Sequence, residues 1–300
     1  MAASQQKTSV VIACVNGLPS ISECLEALHR QEGGHESEII VANCCRDGSA
    51  DYIKTHYPDV VLLDFDERLG IPELRAIGVE RATGDVICVI EDHCIVRPNW
   101  FDEIRKAHAL GYDAVGGPVE NACTDRLVDR AVYLTEYSDQ MLPAMGGDVA
   151  GVAGNNAAYK RQAFQKVSPQ TLRNDWEFFV QQEMRASGAR FLSVPTMIVD
   201  HKKEFGFLYF VSQRFHYSRS FAGMRRRRVS GPMRLAYALA SPLLVPMMLY
   251  RIGRQVVQKK RERASFVASL PLLFPFMVSY AAGECVGYMF GPGRSLLKVE

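Results

Sequence analysis

Short apolar runs alternate with helix-like segments across residues 9–92, and this order constrains the fold more than any other feature of the sequence. The apolar runs, rich in β-branched residues, are 9–16, 38–43, 60–65 and 85–92. The segments between them, 20–31, 47–57 and 72–83, are typical of helices, and the last has Pro72 in its first turn. Apolar strands separated by amphipathic helices predict an α/β domain with a mainly parallel sheet covered by helices on both faces.

Polar residues gather where the predicted strands end. Cys14 and Asn16 close the first strand, Asn43 closes the second, and Glu91-Asp92-His93 closes the fourth. Because ligands of open α/β sheets bind at the carboxyl ends of the strands, these residues are candidates for a binding site. A dinucleotide site is excluded, since the turn after the first strand has one glycine where the Gly-x-Gly-x-x-Gly fingerprint needs three.

Glu91 and His93 flank a single residue, so on an extended segment their side chains point the same way. A carboxylate and an imidazole placed together can hold Mn²⁺ or Mg²⁺, although Mg²⁺ prefers oxygen ligands. Such a cation would neutralise a diphosphate leaving group. The alternative is an acidic strand end that packs against a helix.

An ordered set of motifs over roughly residues 8–220 resembles family 2 glycosyltransferases, which have the GT-A nucleotide-sugar fold. The segments that match, in family order, are VVIACVN, VANCCRDGSAD (41–51), LRAIG (74–78), RATGD (81–85), VIEDH (89–93), RPNW (97–100), AGNNAAYKR (153–161), NDWEFF (174–179) and IVDH (198–201). The resemblance implies an inverting transferase that moves a sugar from a nucleotide-sugar donor. Such a reaction needs a base for the acceptor hydroxyl and a cation for the leaving charge.

The resemblance also implies roles for single residues. Asp175 is the candidate general base, unless Asn174 or Asp175 only caps the helix that follows. The donor-binding candidates are Cys14, Asn16, Asn43, Arg75 and Asp92, with Asp92 directed away from the metal and towards the ribose. The metal-binding candidates are Glu91, His93 and His201, and the acceptor-side candidates are Gly154, Asn155, Asn156 and Glu177. The competing interpretations are an exposed helix arginine for Arg75 and a structural histidine for His201.

Three positions depart from the family pattern. Asn43 stands where relatives have the base-binding aspartate, the Asp-x-Asp pair is Glu91-x-His93, and Asn174 replaces a glutamate. These departures leave open which nucleotide base the donor carries and which metal ion binds. They also define an alternative function, a membrane-bound nucleotide-sugar-binding protein without transferase activity.

The net charge of +2 hides a strong asymmetry along the chain. Residues 1–200 carry 18 basic and 29 acidic side chains, whereas residues 201–300 carry 17 basic and 4 acidic ones. Within 210–228, arginines and aromatic residues recur at helical spacing, which is typical of a helix on an anionic lipid surface. Nucleic-acid binding is the competing interpretation, but the uncharged runs 235–250 and 266–283 favour a membrane. We therefore expect anionic lipid, and no nucleic acid, as a partner.

The first uncharged run would reach only about 24 Å as a helix, short of the roughly 30 Å hydrocarbon core. An interfacial or re-entrant first segment keeps both flanking basic clusters on the cytoplasmic side, as the positive-inside preference requires. We therefore predict a transferase domain over 1–205, a basic interfacial segment over 206–230 and membrane-associated helices over 231–300. The catalytic domain would face the cytoplasm at the inner or plasma membrane, with a lipid-linked sugar, glycolipid or polysaccharide precursor as acceptor.

Two further expectations concern loops and thiols. Residues 120–150 show little periodicity, which predicts an irregular lid or acceptor-site loop. The eight cysteines form no Cys-x-x-Cys pair, which indicates free thiols in a reducing compartment. The oligomeric state does not follow from the sequence.

Overall fold

The computed structural model describes residues 7–31 and 37–299. Its strands are β1 (Thr8–Cys14), β2 (Glu38–Asn43), β3 (Val61–Asp64), β4 (Val86–Glu91), β5 (Cys94–Val96), β6 (Ala114–Gly116), β7 (Val119–Asn121), β8 (Gly147–Asp148), β9 (Asn156–Lys160), β10 (Phe191–Ser193) and β11 (Val199–His201). Its α-helices are α1 (Ser20–His29), α2 (Ser49–His56), α3 (Ile71–Arg81), α4 (Trp100–Ala109), α5 (Leu127–Tyr137), α6 (Arg161–Phe164), α7 (Pro169–Asn174), α8 (Glu177–Ala186), α9 (Phe207–Arg226), α10 (Gly231–Ala240), α11 (Leu244–Lys259) and α12 (Arg263–Phe290).

The chain divides into two compact units. The first unit comprises the chain up to Glu120 together with Leu142–Lys202. The second unit comprises Asn121–Met141 and the chain from Lys203 onward. The predicted division at residues 205 and 230 stays a prediction.

An eight-stranded mixed sheet organises the first unit, in the order β3-β2-β1-β4-β9-β6-β10-β8. The four strands β3, β2, β1 and β4 run parallel, and β9 runs antiparallel to both β4 and β6. The prediction of a mixed, mainly parallel sheet flanked by helices is confirmed. A second, small sheet joins β5, β11 and β7 and places His201 opposite Cys94, one residue after His93.

The central strands are apolar because both faces of the sheet are covered. Val10, Ile12, Cys88 and Ile90 contribute to one apolar core, and Val11 contributes to the other. Alternate side chains of one strand therefore enter opposite cores, which explains the almost continuous apolar runs in the sequence. At the ends of these strands the polar residues remain, at a single edge of the sheet.

In the second unit, α12 lies against α9 through glycines. A Cβ at Gly283 would lie 2.3 Å from the Phe215 backbone oxygen, and one at Gly287 would lie 2.5 Å from the Arg219 backbone oxygen. Only glycine permits backbones to approach this closely, as at small-xxx-small contacts between helices. The rings of Phe210 and Phe276 add an edge-to-face contact, with centroids 4.6 Å apart.

Two expectations for this region are wrong. Residues 120–150 are not one irregular loop, because α5 occupies Leu127–Tyr137 with Ala131, Val132 and Leu134 buried. The aromatic face of the basic segment does not lie open to lipid either. Phe210 packs on Phe276 of α12, and Arg214 pairs with Glu136 of α5. Helical spacing shows which side chains share a face, but it does not show what covers that face.

Two helical runs of the second unit are long and apolar enough to cross a membrane by length and composition. They are Gly231–Lys259, with 29 residues, and Arg263–Phe290, with 28. A 3-10 segment at Ser241–Leu243 interrupts the first run, and Pro242 lies within it. Both runs expose large apolar side chains, among them Leu239, Leu243, Tyr250, Val267 and Phe290. These surfaces are compatible with membrane association.

Candidate active site

Three side chains of types that can bind a metal ion converge beyond the end of β4. The Nε2 atoms of His93 and His201 lie 2.8 Å apart, and His93 Nε2 lies 3.3 Å from Glu91 Oε2. His93 and His201 are both buried, while Glu91 is partly exposed. The structure thus brings together all three residues predicted as metal ligands, although 108 positions separate the two histidines.

The protonation of the His93 ring bears on whether the cluster can bind a cation. Its Nδ1 lies 3.0 Å from Asp92 Oδ1, and because a carboxylate only accepts, Asp92 favours the neutral ring with its proton on Nδ1. In the neutral ring, Nε2 then turns its lone pair towards Glu91 and His201. An aspartate that holds a histidine in this tautomer is a common outer partner of metal ligands. The donor set of two imidazoles and one carboxylate therefore fits a divalent cation.

The charges around the cluster point the same way. Burial alone would raise the pKa of Glu91, but its contact with His93 and the charge of Arg75 hold that pKa well below the usual range. Burial lowers the pKa of His93, but hydrogen bonds to Asp92 and Glu91 outweigh it and raise the pKa above its ordinary value. The carboxylates therefore favour positive charge at this point, whether a proton or a metal ion supplies it.

Asp92 holds the loop that follows β1. Its Oδ2 accepts hydrogen bonds from the backbone N–H groups of Val15, Asn16 and Gly17 at 2.9, 2.7 and 3.2 Å. Its Oδ1 accepts another from the Asn16 side chain at 2.7 Å. The side chain is fully buried, so both oxygens are used within the protein. The predicted contact of Asp92 with the ribose does not agree with this position, whereas Asn16 is partly exposed at the ligand edge.

Arg75 joins the cation cluster to a neighbouring pocket. Its Nη2 lies 2.8 Å from Glu91 Oε1, and its Nη1 lies 3.0 Å from Glu177 Oε2. Arg75 is 9% exposed, which is the opposite of an exposed helix arginine. Burial lowers the pKa of Arg75, but Glu177 and Glu91 outweigh it and raise the pKa. The arginine is therefore a fixed cation between two carboxylates.

The pocket that Arg75 lines also contains the candidate base. Asp175, Glu177 and Gly154 contribute to the wall of this pocket beside apolar side chains of α3 and α8. Asp175 is 3% exposed and lies between α7 and α8. The N-cap residue of α8 is Trp176, which makes no side-chain cap bond, so the cap position that the sequence left open is not Asp175.

A family model for glycosyl transferase family 2 matches residues 9–168, more than half of the chain. This chain belongs to glycosyl transferase family 2. It is 27% identical over 118 residues to glycosyltransferase AglE of Haloferax volcanii, covering 37% of this chain and 39% of AglE. It is 26% identical over 172 residues to the glucosyl-dolichyl phosphate glucuronosyltransferase of the same organism. This match covers 54% of this chain and 55% of that relative. The chain therefore spans about half or less of the length of these curated relatives.

The fold also resembles that of a solved mannosyltransferase. The mannosyltransferase PcManGT from Pyrobaculum calidifontis, in complex with GDP-Man and Mn²⁺, superimposes with a TM-score of 0.58. The likeness covers 93% of this chain and 86% of that one at 14% identity. At this identity the likeness establishes the fold, which for this family 2 protein is of GT-A type.

Two of the donor-binding candidates, Cys14 and Asn43, are buried, and Asn43 stands at the position where relatives bind the nucleotide base. Asn43 donates from Nδ2 to Asp64 Oδ1 at 2.7 Å, and its Oδ1 accepts from the Cys45 backbone N–H at 3.3 Å. Asp64 is exposed, so the pair leaves a carboxylate at the ligand edge. The sequence motifs did not identify Asp64, since it ends a strand whose motif carries no polar signature.

The acceptor-side candidates differ in their surroundings. A Cβ at Gly154 would lie 2.3 Å from Glu177 Cγ, so the glycine gives Glu177 its place in the pocket wall. Asn155 is buried as well. Asn156 has no exposed surface, because its amide bonds to the backbone oxygens of Pro118 and Met197 and to the Trp100 ring N–H. Asn156 therefore holds the scaffold together, and the predicted acceptor contact does not agree with its burial.

Sequence reasoning also missed a second clamp on the loop after β1. Asp47 Oδ2 accepts from the Leu18 backbone N–H at 2.7 Å, and Asp47 Oδ1 accepts from the Ser49 N–H at 3.1 Å. Gly17 has a φ of +71°, and a Cβ there would collide with the Asp47 carboxylate. The Asp47-Gly48-Ser49 turn was the available signal, but its partner 29 positions away could not be read from the sequence.

Proposed function

We propose that the protein is an inverting glycosyltransferase that moves a sugar from a nucleotide-sugar donor to a membrane-associated acceptor. The observation that supports this most directly is the continuous set of groups at the carboxyl end of β4. The cluster of Glu91, His93 and His201 connects through Arg75 to the pocket that contains Asp175. A leaving-group site and a base beside one pocket are the parts that such a displacement needs.

In this proposal, Asp175 takes the proton of the acceptor hydroxyl as its oxygen attacks the anomeric carbon. Attack on the face opposite the leaving diphosphate inverts the configuration at that carbon. Arg75 is held by Glu177 and Glu91, which fixes its charge beside the reacting groups without the cost of ordering it during the reaction. Gly154 and Asn155 belong to the acceptor side, and Asn16, Asn43 and Cys14 belong to the donor side.

Glu91, His93 and His201 would hold a divalent cation, Mn²⁺ or Mg²⁺. When bound, the cation supplies positive charge for the diphosphate. Two observations support this assignment. The donor atoms of the three residues converge, and the carboxylates of Glu91, Asp92 and Glu177 surround the single arginine Arg75. Asp92 orients His93 through Nδ1, and Asp92 also fixes the loop at Val15–Gly17, so one buried carboxylate would organise both the ligand set and the donor side.

We further propose a lipid-linked acceptor and a place on the cytoplasmic face of the inner or plasma membrane. The two long apolar helices of the second unit support membrane association. The basic residues in the last part of the first run, including Arg251, Arg254 and Lys259, support attraction to anionic lipid and a cytoplasmic side for the end of that run. One relative is named for a dolichyl phosphate acceptor, which is itself a membrane lipid. Residues 1–205 would form the catalytic domain, 206–230 a basic segment and 231–300 the membrane-associated part.

Nucleotide release by the detergent-purified protein tests the proposal. We would supply UDP-, GDP- and dTDP-sugars in turn, with native membrane lipid as acceptor and with Mn²⁺, Mg²⁺ or EDTA. Wild type is expected to release nucleotide only when lipid is present. Asp175→Asn is expected to bind the donor yet lose at least about 100-fold in rate, which is the usual contribution of a general base. Asp59→Asn, an exposed and remote change, is the matched control.

Two results would count against the proposal. Donor binding without release under every condition, with lipid present, would favour the inactive nucleotide-sugar-binding protein. No binding of any donor to the wild type would remove the nucleotide-sugar function altogether.

A further inference from the structure

Two thiols meet at the ligand edge of the sheet in the first unit. The Sγ atoms of Cys14 and Cys45 lie 3.9 Å apart. Cys14 ends β1 and is fully buried, whereas Cys45 follows β2 and is partly exposed. All eight cysteines lie within the described ranges and are free thiols. The Sγ atoms of Cys14 and Cys45 are close enough for a hydrogen bond between the two thiols.

The two cysteines lie in different kinds of backbone. Cys14 is held in the sheet, where β1 pairs with β2 on one side and β4 on the other. Cys45 lies in the short irregular segment between β2 and α2, which begins at Ser49. A disulfide has its sulfurs about 2.05 Å apart, so a shift of roughly 2 Å is needed to form the bond. A shift of Cys45 would leave the pairing of β1 with β2 and β4 in place, because Cys45 lies outside the sheet.

We propose that Cys14 and Cys45 form a reversible disulfide under hydrogen peroxide, and that this modification turns off donor binding. The second half of the proposal rests on the proposed function, and the first half does not. In the first step the partly exposed Cys45 sulfur attacks the peroxide O–O bond, and Cys45 becomes a sulfenic acid as water leaves. In the second step the Cys14 sulfur attacks the Cys45 sulfur, the S–O bond breaks, and a second water leaves. Two thiols are thus oxidised to one disulfide and one peroxide is reduced to two waters.

The disulfide would act on donor binding through Asn43. The Cys45 backbone N–H donates to Asn43 Oδ1 at 3.3 Å, and the Cys45 carbonyl lies 3.5 Å from Asn43 Nδ2. Moving Cys45 towards Cys14 therefore pulls on the amide assigned to the donor side. It also places the crosslink beside the loop that Asp92 holds, since the Asp92 carboxylate, Cys14 and Cys45 form one cluster. Loss of one or two hydrogen bonds there is expected to raise the Kd for the donor roughly tenfold.

Mass spectrometry of the full-length protein tests the first half. Trypsin leaves Cys14 with Cys24 in peptide 8–30, and Cys44 with Cys45 in peptide 31–46. A background that carries Cys24→Ala and Cys44→Ala leaves one cysteine in each peptide. After hydrogen peroxide, we expect these two peptides to be joined by a bond that dithiothreitol cleaves. Cys45→Ser in the same background should remove the bond, and failure to detect it at peroxide doses that oxidise Cys45 would overturn the proposal.

Calorimetry tests the second half, with the donor that binds best to the reduced wild type. Oxidation is expected to raise the Kd about tenfold in wild type and in Cys44→Ser, the matched neighbouring control, and dithiothreitol should restore it. In Cys45→Ser, the Kd should not respond to peroxide. An unchanged Kd in fully crosslinked wild type would overturn the regulatory role. If the reduced wild type binds no donor, the proposed function and the regulatory role fall together, while the mass spectrum still decides the disulfide.

Discussion

Replacing Asp92 by asparagine separates a structural role from a donor-binding one. The carboxylate is fully buried and accepts three backbone N–H groups on Oδ2 and the Asn16 amide on Oδ1. It also accepts from His93. In Asp92→Asn, one carboxylate oxygen becomes an NH₂ group, which cannot accept a hydrogen bond. Whichever oxygen it replaces, the NH₂ group faces hydrogen-bond donors, because N–H donors surround both oxygens. The variant removes a negative charge from five hydrogen bonds at once.

Each hydrogen bond to a charged group contributes about 1.5–3 kcal/mol, but the remaining amide oxygen keeps part of the set. We therefore expect a loss of about 2–4 kcal/mol in the free energy of unfolding of the first unit. For a unit of this size, 1 kcal/mol shifts Tm by roughly 2–4 °C, so Tm should fall by about 5–15 °C. Thermal unfolding in detergent, followed by circular dichroism without donor or metal, measures this shift.

Asp59→Asn is the control, because Asp59 is exposed and its ion pair with His29 lies at the surface. It should change Tm by little more than the error, since exposed ion pairs contribute about 0–1 kcal/mol. The reasoning would be refuted if Asp92→Asn kept the wild-type Tm while donor affinity fell more than tenfold. That result would return Asp92 to the role of a donor ligand.

Three other changes test separate parts of the structure. His201→Ala should raise the Kd for Mn²⁺, measured by electron paramagnetic resonance, at least about tenfold, and an unchanged Kd would remove His201 from the ligand set. Burial raises the pKa of Glu38, but hydrogen bonds from Ser9 and Thr83 hold it below the ordinary value. The Glu38 contribution to stability, about 1 kcal/mol, is therefore present above about pH 4.3 and lost as pH falls. The Tm difference between wild type and Glu38→Gln should shrink accordingly in acid, and a constant difference would contradict this sign. Gly283→Ala should lower Tm by several degrees, because the added Cβ meets the Phe215 backbone, whereas Gly231→Ala meets nothing within 4 Å and should not.

The sheet and the metal cluster could be predicted from the sequence for different reasons. Apolar strands and helical spacing are local signals, and they located β1, β2, β3 and β4 closely. The cluster was predicted from the order of family motifs, because nothing local brings His201 to His93 across 108 positions. The structure supplies the contact through the pairing of β11 with β5.

The roles of Arg75 and Asp92 could not be read in this way. An arginine on a helix is usually exposed, and the partner that fixes Arg75 on its other side, Glu177, lies 102 positions away. Side chains alternate in direction along an extended segment, so the sequence predicted that Asp92 points away from Glu91 and His93. It did not predict which residues Asp92 contacts. What it meets is the loop after β1, 75 to 77 positions earlier. Long-range partners of polar groups are the part of a site that sequence patterns do not contain.

One departure from the family pattern, the Glu91-x-His93 pair, has a chemical explanation in the structure. A histidine at position 93 replaces a carboxylate with a neutral nitrogen donor, and His201 adds a second one. Mg²⁺ prefers an all-oxygen shell, so this ligand set should favour Mn²⁺ over Mg²⁺. The substitution works only if the ring is held in one tautomer, and Asp92 holds it through Nδ1. In the proposed site, Asp92, which lies between the two ligands in the sequence, would therefore be the residue that prepares His93 to bind the cation.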